Sequence, residues 1–156
     1  MRFFTVGHGT ARFGDLRRIL EHYGVATIVD VRSEPWSSRA PDFTKQRLEG
    51  LCATVGLGYR WLGDGLGGRP RDPALCRPDG SPDYDRIASS PGFVGSLYLL
   101  EQLAAGGTVA LLCAEADPAH CHRSTLLAPA LAARGHEVVH LLHDARAVPD
   151  QPTLGI

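Results

Sequence analysis

Apolar runs alternate with amphipathic stretches along this chain, and the two patterns predict different elements. Arg2-Phe-Phe-Thr-Val6, β-branched and aromatic and stopped by Gly7 and Gly9, predicts a strand. From Phe13 to Tyr23, the residues Phe13, Leu16, Ile19, Leu20 and Tyr23 recur at helical spacing. Val25–Val31 predicts a buried strand, followed by a polar loop rich in serine and proline. A helix is expected over Phe43–Val55, with Phe43, Leu48, Leu51 and Cys52 inward, and a third strand over Leu57–Leu62.

The pattern fails between Gly63 and Asp85, where glycine and proline punctuate the chain and predict a long functional or disordered loop. It resumes as a helix from Phe93 to Ala104. Thr108–Cys113 follows, a continuously apolar strand of the kind covered on both faces. A helix is expected from about His122 to Arg134, closed by Gly135, and a last strand over Glu137–Leu142. The tail from 146 to 156, with Pro149 and Pro152, is expected to be loose. Five strands alternating with four helices predict one α/β domain over residues 1–145. Its sheet would be mostly parallel and five-stranded, flanked by helices on both faces as in a Rossmann-like three-layer sandwich.

Composition narrows the classes without choosing among them. With 156 residues the chain can bury a core unaided, and 44% hydrophobic with 21% charged residues is ordinary for a globular protein. A net charge of −1 does not support a large nucleic-acid footprint. Nothing approaches the ~20 apolar residues of a membrane span, and no signal region precedes the first strand, so a cytoplasmic protein without a membrane partner is expected. The cysteines at 52, 76, 113 and 121 have no regular spacing and are expected to be free thiols.

Candidate chemistry falls just after the predicted strands. In an open parallel sheet ligands bind beyond the carboxyl ends of the strands. Gly7-His8-Gly9 follows the first, Asp30-Val31-Arg32 the second, and Cys113 with Glu115 the clearest one. His8 suits acid–base or anion contact, Arg32 offers a fork for carboxylate or phosphate, and Asp30 could orient Arg32 or a histidine, or cap the following turn. Leu66-Gly67-Gly68-Arg69 is expected to fold over the same edge. Trp36 and Trp61 could pack or stack on a planar ligand.

The segment "CAEADPAHCHRS", Cys113–Ser124, is densest in reactive groups. His122, Arg123 and Ser124 would open a helix whose first turn favours an anion, with Cys121 beside it as a stabilised thiolate. The order of strand, cysteine, arginine and helix resembles rhodaneses and cysteine phosphatases. Their loops separate cysteine from arginine by five residues; here nine or one intervene, so that cradle is not expected. Cys113, Cys121 and His122, with His8 or His120, could instead ligate zinc. No metal or cofactor is assigned from the residues, and the zinc reading stays open.

"TVGHGT", "VDVRSEPWSSR", "YRWLGDGLGGR" and "LLCAEADPAHCHRS" occur in this order, and as a set they resemble the domain-of-unknown-function 488 family over roughly residues 3–142. Relatives commonly carry a serine after the Gly-His pair, where this chain has Gly9-Thr10. The resemblance implies an α/β sheet and a shared site of Gly7, His8, Asp30, Arg32, Gly67, Gly68, Cys113, Glu115, Cys121, His122 and Arg123. It implies no reaction. From the residues, the leading expectation is a small enzyme binding an anionic, phosphorylated or nucleotide-like ligand. Arg32 and Arg123 would hold the anion, with Cys121, His8 and Glu115 as nucleophile or proton carriers. The alternatives are a non-catalytic sensor of such a ligand or of a nucleic-acid end, and a zinc-dependent hydrolase.

Overall fold

A computed structural model describes residues 1–151. Its strands are β1 (Arg2–Gly7), β2 (Thr27–Asp30), β3 (Gly58–Trp61), β4 (Val109–Cys113), β5 (Glu137–Leu141) and β6 (Ala147–Pro149). Its α-helices are α1 (Phe13–His22), α2 (Lys45–Thr54), α3 (Gly63–Leu66), α4 (Tyr84–Ser89), α5 (Pro91–Ala105) and α6 (Ala128–Ala133). One sheet runs in the order β3-β2-β4-β1-β5-β6, parallel throughout except for β6. This is the expected α/β class with one more strand.

Alternation along β4 shows why the sheet needs cover on both sides. Val109, Leu111 and Cys113 join one core, where Phe93, Leu97 and Leu100 of α5 and Leu131 of α6 pack. Ala110 and Leu112 join the other, against Leu16 and Leu20 of α1 and Leu48 and Cys52 of α2. The chain therefore leaves β1 and β2 toward one face and β4 toward the other. A crevice opens beyond the ends of β2 and β4, which send their connections to opposite faces.

Two regions differ from expectation. The stretch from Gly63 to Asp85 is built, not structureless: it holds α3, a 3-10 turn at Pro73–Leu75, a bridge between Cys76 and Pro82, and the start of α4. Asp83 caps α4 through the Arg86 amide, and Ser90 caps α5 with Pro91 at its first position, which separates the two helices. The tail, expected to be loose, supplies β6 antiparallel to β5, with Pro149 at the sheet edge where a missing N–H is tolerated. Pro152 and the rest of the tail lie outside the described residues. The helix expected from His122 begins as a π-helical stretch, Arg123–Leu127, before α6.

Candidate functional site

Register brings three strand ends together. Gly7 of β1 pairs with Cys113 of β4, and Asp30 of β2 with Leu112. The ladder runs on past the strands, His8 donating to the Cys113 carbonyl (3.0 Å) and Gly9 to that of Ala114 (2.8 Å). A Cβ on Gly7 would stand 1.6 Å from the Glu115 carbonyl oxygen, so only glycine lets the segment after β4 lie this close.

At the end of β2 the Asp30 carboxylate takes the Arg32 Nε (2.8 Å) and Nη2 (2.7 Å) together, a bidentate pair with both side chains buried. The Tyr59 hydroxyl donates to the same carboxylate at 2.5 Å, and burial with that negative neighbour pushes the phenol well up. Asp30 thus orients Arg32 and does not itself face the cavity. The Trp61 indole donates to the Arg32 carbonyl (2.9 Å), which gives that tryptophan a positioning role.

His8 is buried, stacked on Phe43 with ring centroids 4.9 Å apart. A carbonyl can only accept, so the Nδ1 contact to Gly9 O (2.9 Å) places the proton on Nδ1, leaving Nε2 to accept from Arg32 Nη1 (3.3 Å). Burial, with the Arg32 charge, holds the imidazole pKa below its usual value. His8 therefore stands behind Arg32, not at the cavity wall.

Cys121 is the most perturbed thiol. Its Sγ faces the Cys113 thiol, the largest influence, with the His122 Nδ1 at 3.6 Å and the Arg123 main-chain N–H; these contacts outweigh partial burial and draw its pKa down to about 4. Cys113, wholly buried beside it, is pushed well up and stays the protonated donor of the pair. His122 is held by its Nε2–H on the Leu66 carbonyl (3.1 Å), which turns Nδ1 toward the sulfur. A Cβ on Gly68 would meet the His122 Cβ and Cγ at 2.9 Å, so the glycine leaves room for that ring. On Gly67 it would meet the Ser33 hydroxyl at 2.1 Å, and Ser33 in turn accepts from the Arg69 amide.

A cavity of about 350 Å³ lies over this floor, with Arg32, Arg69, Glu115, Cys121 and His122 in its walls and Trp36 and Tyr84 at its side. Like His8 and Asp30, Arg123 and Ser124 stand away from this wall. Arg123 is fully buried beneath the loop, its Nη2 donating to the Glu115 (2.9 Å) and Ala116 (2.8 Å) carbonyls. Ser124 lines a second cavity, of about 330 Å³, near Pro149 and Asp150. Reasoning from sequence missed Tyr59, whose only signal was a polar aromatic on a half-buried strand. It also gave no role to His140 and His143. His143 donates to the Gly7 carbonyl at 2.6 Å.

Cys113 and Cys121 Sγ and a His122 ring nitrogen lie within 4.8 Å of one another, the one such group of three metal-capable donors among the described residues. Two sulfurs and an imidazole suit zinc, and three protein donors would leave a position open. No helix among the described residues is long and apolar enough to cross a membrane. The model of the family described as Domain of unknown function DUF488 matches residues 12–129. Searches of curated proteins and of solved structures found no match.

Proposed function

The chain belongs to this DUF488 family, and from that premise we propose that it is a thiol enzyme acting on a small anionic substrate, phosphorylated or nucleotide-like. Cys121 is the nucleophile. Arg32 binds the anion, for its pair with Asp30 and its contact with His8 leave a hydrogen on each terminal nitrogen unused. His8 keeps Arg32 in place and accepts no substrate proton. Glu115, exposed at the wall, takes the proton from the water that later frees the covalent intermediate. The thiolate's electron pair forms the bond to the acyl or phosphoryl centre as the leaving group departs with its own pair.

The observation that carries this reading is the Cys121 sulfur at the cavity wall, facing the Cys113 thiol and the Arg123 main-chain N–H, which favour its anion. Its four cysteines unpaired, the protein fits a reducing cytoplasm. A nitrophenyl ester with a carboxylate at its acyl end tests the assignment. The wild-type protein is expected to release nitrophenolate in a burst and to carry the acyl mass on the Cys121 peptide. Cys121→Ser is expected to lose more than about a hundredfold in rate; full activity in that variant would overturn the assignment.

A zinc-dependent hydrolase is the second reading, favoured by the three-donor group. Elemental analysis of freshly purified protein separates the two, since stoichiometric zinc would displace the free thiolate.

A further inference from the structure

Arg123 presents an electrostatic problem that the site alone does not solve. It is a wholly buried cation, and none of the ion pairs among the described residues includes it. Its guanidinium reaches the two loop carbonyls and the Thr5 hydroxyl (3.4 Å), while Nε has no partner. Burying such a group without compensation is costly.

The compensation runs across the sheet. Arg123 can only donate, so Thr5 Oγ1 accepts from it, and the same hydroxyl is hydrogen-bonded to the His140 Nδ1 at 2.6 Å. A carboxylate can only accept, so the His140 Nε2 donates to Asp150 at 2.8 Å. The chain of hydrogen bonds ends on a negative charge. Its geometry is set by the fold: Thr5 and His140 are register partners on adjacent strands, and Asp150 is held by its amide on the Val138 carbonyl (2.9 Å) just past β6.

We propose that the buried chain Arg123–Thr5–His140–Asp150 fixes the wall of the thiol cleft from the far edge of the sheet, making Thr5, His140 and Asp150 positioning residues for Cys121 and Glu115. The inference rests on the thiol-enzyme reading for its functional meaning. The near end of the chain explains the coupling. The Arg123 side chain fastens the Glu115 and Ala116 carbonyls, and its main-chain N–H faces the Cys121 sulfur. One residue therefore sets both the proton carrier's backbone and the thiolate's surroundings. If its side chain drifts, both move.

Thr5→Val removes the hydroxyl and keeps the shape of a β-branched strand residue; Thr5→Ser restores the hydroxyl. Two readouts apply to both variants in the full chain: the rate and pH midpoint of Cys121 alkylation by iodoacetamide, and amide hydrogen exchange over Ala114–Cys121. Thr5→Val is expected to raise the alkylation midpoint by about one pH unit, so that the rate below the midpoint falls about tenfold, and to speed exchange of the segment by about the same factor, the effect of losing one buried hydrogen bond to a charged group. Thr5→Ser is expected to stay within about twofold of wild type on both. Unchanged exchange and alkylation in a folded Thr5→Val would overturn the inference. A wild-type protein whose Cys121 is not alkylated below its ordinary range would sink the thiol reading instead, and the exchange arm would still decide the chain.

Discussion

Asp30 and Arg32 show how two residues apart in sequence can act as a unit. The pair is bidentate and buried, and both side chains have further partners, Tyr59 on the acid and His8 on the guanidinium. Removing one partner of such a pair leaves an uncompensated charge in the interior. Asp30→Ala is therefore expected to cost about 3 kcal/mol in urea denaturation and to abolish binding of the anionic ester. A loss under about 1 kcal/mol would mean that Arg32 swings out to water and that the pair does not shape the cavity. The orienting role of Asp30 was legible in sequence, since a carboxylate at a buried strand end had a nearby arginine to hold. The inward turn of Arg123 was not. Sequence placed it in the first helical turn, where it stands, but only the packing shows that its side chain runs beneath the loop and not into the cleft.

Elements with strong periodicity were the legible ones. The apolar run of β4 and the helix face of α1 stand where their patterns predict them. β6 escaped because it has three residues, one of them proline, and owes its place to pairing with β5 at an edge. The ordered turns between Gly63 and Asp85 escaped for a related reason: glycine and proline there signal punctuation, while the structure comes from side-chain caps and tertiary contacts. α3 rests on α5, where a Cβ on Gly65 would meet the Ser96 hydroxyl at 2.0 Å. This inserted segment supplies the Leu66 carbonyl that turns His122 and the Gly68 gap that accommodates its ring. Sequence pointed to its position over the sheet edge but gave no hint of what it holds.

For the molecule as a whole, the perturbed groups predict how stability varies with pH. Cys121 has its folded pKa depressed to about 4, so between that value and the ordinary thiol range the unfolded chain binds a proton that the native protein does not. Stability from this group is present above the unfolded pKa and is lost as pH falls through the window toward the folded one. His8, lowered by burial, adds loss of the same sign as pH falls below the usual imidazole value, because the unfolded ring takes up a proton the native ring resists. Cys121→Ser removes the first contribution and leaves the second. The wild type is therefore expected to gain up to about 1.4 kcal/mol per pH unit relative to Cys121→Ser between pH ~6 and ~8 in paired denaturation series. Parallel stability curves would contradict the depressed thiol.

The proposed chemistry requires Cys121 to be a thiolate held at the cleft by its neighbours, and its titration tests that most directly. Alkylation by iodoacetamide, followed by peptide mass analysis, separates it from the other three cysteines. The expected profile is flat through neutral pH and falls only toward a midpoint near the value of about 4. A midpoint at about 8.5, the range of an unperturbed cysteine, with Cys121 reacting no faster than Cys76, would contradict it.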